Sequence, residues 1–380
     1  MKKKLIWLMV SCLMVALLLL ASCAPAAVEE EEAEVVVTEE EVVEEAAEEE
    51  EAPPPMVRGT VDPDISVDVY EPDLVWAGTT LLPDNHNSER PRIIEVNMLG
   101  EIIWEYPLPP NLKQYTNPGF DPELLSNKNI LLVLPGYGVH EINRNGDTVW
   151  SYLDKKVSHD ADRLPNGNTI FVFGNNDQTD DAQVKEVNPE GEIVWEWYAR
   201  DYFDKPPFNT INNQGWTHTN AVTRMANGNT LISPRNFGLL VEVDAEGEVV
   251  RTIGGGVIFG DQTIRLKAYE NADPFAPHDP EVLPNGNILM MSQYVPNRAI
   301  EMVPETGEVV WEYTVRDPDN WPVRDADRLP NGNTLITGTR KIIEVTPEGK
   351  IVWQLTLDAT FDREEAAGHG FYKAERIGIQ

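Results

Sequence analysis

Between Leu74 and Leu357 the chain repeats itself six times, and a repeat of this length leaves few folds open. One element is Gly-x-x-x-Trp. It runs from Gly100 to Trp104, Gly146 to Trp150, Gly191 to Trp195, Gly307 to Trp311 and Gly349 to Trp353, and a sixth copy, Gly247 to Arg251, carries arginine in place of tryptophan. Successive glycines stand 46, 45, 56, 60 and 42 residues apart, the period of one four-stranded blade with loops of variable length. A second element precedes most copies. Leu164-Pro165-Asn166-Gly167-Asn168 returns at 283–287 and 329–333, shortened at 226–229 and degenerate at Ser126-Asn127-Lys128-Asn129. Asn-Gly supplies the positive φ angles of a tight hairpin, and runs such as 169–173 after it read as buried strands. The unit is strand, Asn-Gly turn, strand, loop, strand, Gly turn, strand. In the third copy the strands fall near 159–164, 169–173, 183–187 and 192–197.

Six such units predict an all-β, six-bladed β-propeller, with an open solenoid or a seven-bladed ring as the alternatives. The first unit lacks an innermost strand. Ala374-Glu375-Arg376-Ile377 resembles Ala161-Asp162-Arg163-Leu164, so a C-terminal strand is expected to fill the gap and close the ring, which protects sheet edges. The repeated tryptophans are expected to pack between neighbouring blades rather than bind a ligand.

Ahead of the repeats, Lys2 to Lys4 form a basic start, residues 6–20 an apolar run, and Leu20-Ala21-Ser22-Cys23 the processing site of a bacterial lipoprotein. The expectation is a signal peptide over 1–22 and a lipidated Cys23 opening an acidic, Pro-rich tether over 23–56. The propeller then occupies 57–380, outside the cytoplasm and held to a membrane by the lipid. Cys12 falls in the removed segment, so the mature chain has no pair of cysteines for a disulfide. Of the net charge of −34, three lysines and fourteen glutamates before residue 56 account for −11, leaving −23 on the domain. That balance excludes nucleic acid as a partner. Oligomeric state is not legible.

In propellers the innermost strand of each blade lines the axis. Aligning the blades on the Asn-Gly glycine and stepping back eight residues gives Phe120, His159, Asn220, His278 and Arg324, and the closing strand gives Tyr372. His218 stands two residues before Asn220 and is expected on the same strand face. Three histidines, an asparagine, an arginine and a tyrosine thus converge where a purely structural repeat would place similar small or apolar residues. His86, His140 and His369 fall outside this register and read as structural or surface residues. Asp160 and Asp279, the immediate neighbours of His159 and His278, point the other way along a strand and are not expected to orient the imidazoles directly.

Three histidines can hold a metal, but an arginine in the same ring favours an oxyanion, so no metal and no cofactor is expected. Nucleophilic catalysis by histidine is the alternative chemistry, with neighbouring cations keeping one imidazole neutral.

The repeat around His159, and above all Trp216-Thr217-His218-Thr219-Asn220-Ala221-Val222 with Ser233-Pro234-Arg235-Asn236, resembles the bacterial arylsulfate sulfotransferases from Leu74 to Gln380. The resemblance implies sulfuryl transfer from a phenolic sulfate donor to a phenol acceptor, without a nucleotide, through a sulfated histidine. By order along the blades it makes His278 the nucleophile. It places His159, His218, Asn220 and Arg235 around the sulfuryl oxygens and the phenol proton, and Tyr372 against the substrate. Arg324 has no counterpart in the family pattern and joins from the ring alignment alone. The competing readings are a non-catalytic cell-surface propeller that binds a peptide, glycan or anion, and a metal-dependent hydrolase or lyase.

Overall fold

The computed structural model describes residues 59–254, 256–259, 262–265, 276–293, 296–359 and 368–379. The expected signal segment, Cys23 and the tether lie outside these residues. The described chain is a six-bladed β-propeller of antiparallel sheets. In blade three the strands are Ala161–Arg163, Thr169–Val172, Val184–Val187 and Ile193–Trp197. The innermost one starts later than expected because His159 sits at φ 68°, so the chain turns just before the strand begins.

The ring closes as expected on the C-terminal side: Glu375–Gly378 pairs with Gly78–Asp84 as the innermost strand of blade one. An N-terminal strand, Ile65–Tyr70, is an addition the repeat did not announce. It pairs with Ile351–Leu357 and gives blade six a fifth strand. The two chain ends therefore overlap across the junction of blades six and one. Trp353 beneath that extra strand is fully buried, whereas Trp150 and Trp311 on blades with open outer strands are half-buried.

The tryptophans join blades. Trp104, Trp150, Trp311 and Trp353 each donate their indole N–H, at 2.8 to 3.0 Å, to a backbone carbonyl in the outer turn of the next blade. An arginine from that next blade lies over each ring: Arg144 over Trp104, Arg163 over Trp150, Arg224 over Trp195, Arg328 over Trp311 and Arg376 over Trp353, at 4.4 to 5.3 Å. Each guanidinium also pairs with a third-strand glutamate of the preceding blade, Glu95, Glu141, Glu186, Glu301 or Glu344. In blades two to six the third-strand glutamate, which in blade four is Glu242, accepts a hydrogen bond from the last asparagine of the Asn-Gly-Asn turn or its degenerate form, as with Asn168 and Glu186 at 2.6 Å. The Asn-Gly-Asn turn thus has two functions, to reverse the chain and to hold the carboxylate that receives the neighbour's arginine.

The two longest repeat spacings carry insertions. Between blades three and four lie a short helix, Arg200–Phe203, and a turn, Phe208–Thr210, whose phenylalanines pack with Trp216 and Phe237. Between blades four and five lies a hairpin of Gly256–Phe259 and Gln262–Arg265.

Candidate active site

The starts of the innermost strands and the residues just ahead of them come together at the axis. His159 and His218 meet edge to face with ring centroids 4.8 Å apart, and His159 and His278 lie 6.4 and 5.8 Å from the ring of Tyr372. The Tyr372 hydroxyl stands 3.3 Å from Nε2 of His278. Arg324 reaches in from blade six, lies 5.3 Å over the Tyr372 ring, and donates to Thr339 Oγ1 and to the Phe371 carbonyl. Asn220 donates to the Pro277 carbonyl at 2.9 Å, next to His278. Its own Oδ1, like Nδ1 of His278, is buried with no partner among the described residues.

His218 does not lie on the strand, as its spacing from Asn220 suggested. It precedes the strand Thr219–Arg224 at φ 47°, a region non-glycine residues seldom occupy. The Asp177 carboxylate holds it there by accepting from the backbone N–H groups of Thr217 and His218 and from the Thr217 hydroxyl. Arg235 follows the second strand of blade four in the one-turn segment Arg235–Phe237. Phe237 anchors that turn in the aromatic insertion, and Asn236 donates to the carbonyls of Asn213, Gly215 and Trp216. The Arg235 guanidinium has no hydrogen bond or carboxylate of its own among the described residues and keeps part of its surface accessible. Arg235 acts on all three imidazoles electrostatically.

The hydrogen bonds set two tautomers. The Ser158 hydroxyl oxygen accepts from the backbone of Gly174 and Asn175, so its proton goes to Nδ1 of His159, 2.8 Å away. His159 then carries its own proton on Nε2. Nδ1 of His218 faces the Gln214 carbonyl at 3.0 Å; a carbonyl only accepts, so His218 is protonated at Nδ1 and its Nε2 is a free acceptor.

Burial holds all three imidazoles well below the ordinary histidine pKa, and the Arg235 charge reinforces it. Burial alone brings both Arg235 and Arg324 down to about 10, which leaves them cationic at neutral pH. Burial also raises the Tyr372 phenol, which stays protonated. Three neutral bases and two cations therefore share one cavity. Among the described residues no group of three or more His, Cys, Asp or Glu side chains is arranged to hold a metal ion.

All seven residues singled out in the domain meet here. The sequence reading of Asp160 and Asp279 also holds, since neither touches the neighbouring imidazole. Both instead pair with Lys373, as does Asp121. Lys373, Ser158 and Asp177 are absent from the sequence-based set. Lys373 has a signal, because the same alignment advanced by one residue gives Asp121, Asp160, Asp279, Asp325 and Lys373, with Ala221 in blade four. Asp177 has none, since it stands in an irregular loop. His140 is buried against Tyr137 and His86 pairs with Asp84, as structural residues do. His369 is half-buried and lines a small cavity together with Arg324 and Tyr372.

The family model described as arylsulfotransferase (ASST) matches residues 77–264. No curated protein matches the chain. Among solved structures, a protein of unknown function from Bacteroides caccae is similar with a TM-score of 0.50 and 18% identity, over 77% of this chain and 97% of that one. A virginiamycin B lyase from Staphylococcus aureus gives a TM-score of 0.46 and 14% identity, over 80% and 92%. At such identity the first likeness speaks for the fold alone.

Proposed function

We propose that this chain, which belongs to the arylsulfotransferase family, moves a sulfuryl group from a phenolic sulfate ester to an acceptor phenol through a sulfohistidine at His278. The observation that carries the reading is the Arg235 guanidinium, unpaired among the described residues, beside three neutral imidazoles. A cation without a carboxylate, facing histidines held neutral, suits an anion that a histidine is to attack.

The sulfate ester binds as a monoanion with its oxygens on Arg235 and on the Nε2–H of His159. Its charge offsets the cationic repulsion on the imidazoles, so His218 takes up a proton at its open Nε2. His278 attacks sulfur with a ring-nitrogen lone pair. The N–S bond forms, the S–O bond to the phenol breaks, and the leaving oxygen takes the His218 proton. The sulfuryl group now sits on His278, and His218 is again neutral. The acceptor phenol enters, its hydroxyl donating to His218 Nε2 or to the free Oδ1 of Asn220. It attacks sulfur by the reverse path, returning its proton to His218. Tyr372 packs against His278, with Arg324 over its ring, and presents an aromatic wall to the aryl group.

The test uses 4-nitrophenyl sulfate with and without an acceptor phenol. We expect acceptor-dependent release of nitrophenol, a sulfated peptide containing His278 in mass spectra of protein quenched before acceptor is added, and loss of both in His278→Ala. Full activity of His278→Ala removes the assignment. Absence of transfer across a broad donor panel favours a propeller that only binds its ligand. We also propose that lipid on Cys23 holds the protein outside the cytoplasm; Cys23→Ser should move it from the membrane fraction to the soluble one.

A further inference from the structure

Immediately beneath the histidines the axis carries a second layer with a different logic. One residue past the axial positions stand Asp121, Asp160, Asp279, Asp325 and Lys373, with Ala221 in blade four the exception. The Lys373 ammonium lies 2.7 Å from Asp160, 2.9 Å from Asp279 and 3.0 Å from Asp121. Asp160 follows His159, Asp279 follows His278, and Lys373 itself follows Tyr372. One cation thus ties together the backbone segments that carry three residues of the cavity, drawn from blade three, blade five and the C-terminal segment. Asp160 extends the tie to blade four, where its other oxygen accepts from the Val222 N–H at 2.7 Å.

The sheet ladders do not do this work. His159 at φ 68° and Asp279 at φ 50° occupy the left-handed region, which persists only where surrounding contacts impose it. In blade five the strand register breaks between His278 and Glu281, so regular pairing is lost beside the candidate nucleophile. The ion contacts to Lys373 stand at these two irregular points.

We propose that Lys373 is a positioning residue of the transfer reaction: by binding Asp121, Asp160 and Asp279 together it fixes His159, His278 and Tyr372 at the mutual spacing that transfer requires. The proposal rests on the sulfuryl-transfer reading above. In-line attack is demanding of geometry, and a misplacement of about 1 Å costs on the order of 100-fold in rate. The Lys373 charge also bears on His159 and His278. The charged and titratable groups facing Lys373 are Asp121, Asp160, Asp279 and Tyr372, with Glu123, Asp162, Asp325 and Asp327 further off.

The test compares the full chain with Lys373→Met, Asp279→Asn and Arg376→Met. Arg376 is the control, since it is a buried cation of the same C-terminal segment that pairs with Glu344 between blades. With 4-nitrophenyl sulfate and an acceptor phenol, Lys373→Met should lower kcat about 100-fold with a much smaller change in KM. Arg376→Met should lower the unfolding temperature and leave kcat close to that of the parent. Equal losses of kcat in the two variants at matched destabilisation would show that Lys373 only supports the fold. Should Lys373→Met not fold, Asp279→Asn, which removes one of three ties, is read in its place, and parental kcat overturns the proposal. Proton–nitrogen NMR of the imidazoles needs no turnover. In Lys373→Met the midpoints of His159 and His278 should move up relative to that of His218, and no relative movement counts against Lys373. If the parent chain transfers no sulfuryl group, the functional reading fails, while the NMR comparison still reports whether Lys373 governs the two histidines.

Discussion

The belt between blades and the ring around the axis come from the same repeat, yet they vary in opposite ways. At the belt, five of six blade junctions use the same tryptophan, arginine and glutamate. At the axis, one register position holds Phe120, His159, Asn220, His278, Arg324 and Tyr372. Each belt charge has its opposite within 3.1 Å, as for Arg376 and Glu344, whereas at the axis Arg235 has no carboxylate partner among the described residues. Positions that join blades face a similar neighbour at each junction and keep the same answer at five of the six. Positions that share one off-centre ligand, as the proposed function requires, would each meet a different part of it.

The sharpest way to break this contrast is Arg235→Met. If Arg235 serves the ligand and not the fold, transfer should fall by about 100- to 1,000-fold, while the unfolding temperature stays level or rises because a buried cation without a counter-ion is gone. A matched loss of stability and activity would move Arg235 into the structural class. The converse change is Trp150→Ala. It removes an indole hydrogen bond to Pro189 and the surface under Arg163, and should cost about 3 kcal/mol of stability in a denaturant titration with kcat unchanged.

A third prediction sets the two axial layers apart by pH. Below Lys373 the channel turns acidic, and burial with the nearby Glu375 charge pushes Glu123 up to about 8. In the unfolded chain Glu123 ionises near 4.3, so the unfolded state releases its proton first and stability falls as pH rises between those values. The histidines act in the opposite sense: their folded pKa lies below about 6.5, so their contribution is complete above that pH and is lost only on acidification. Between about pH 6.5 and 8 the carboxylate effect stands alone, worth about 2 kcal/mol for one proton. Thermal midpoints should decline across that interval, and Glu123→Gln should flatten the slope.

Much of this was legible in the chain because repetition converts sequence position into spatial position. Phe120, His159, Asn220, His278 and Arg324 follow from counting back from Asn-Gly, and the closing strand Glu375–Gly378 with Tyr372 follows from the likeness of 374–377 to 161–164, whereas Arg235 comes from the family resemblance. Counting fails where the chain leaves the repeat. Ile65–Tyr70 has no equivalent in other blades, so nothing marks it as the fifth strand of blade six. The positive φ of His159 and His218 removes both from the strands that alternation assigned them, and the carboxylate that holds His218 sits 41 residues earlier, in a loop. Strand periodicity describes the ladder, whereas these side chains are placed by contacts that interrupt it.

The smallest effect concerns the one junction where the belt departs from its rule. Blade four carries Arg251 in place of tryptophan, and blade five carries Val282 at the register position that holds Arg163, Arg224 and Arg328 in blades three, four and six. The cation has changed sides: Arg251 pairs with Glu242 of its own blade at 2.6 Å and with Glu305 of blade five at 2.9 Å. The buried Glu242 keeps an arginine even though the tryptophan is gone, so the carboxylate is the invariant that the belt must neutralise. Arg251→Trp alone leaves Glu242 with Asn229 as its one partner among the described residues and should cost about 1–2 kcal/mol. Adding Val282→Arg rebuilds the pairing of the other junctions and should return stability to within about 0.5 kcal/mol of the parent, with transfer activity unaffected by either change. A double variant no more stable than Arg251→Trp would mean that tryptophan, arginine and glutamate are not interchangeable parts of one device, and that each junction is fitted to its own surroundings as the axis is.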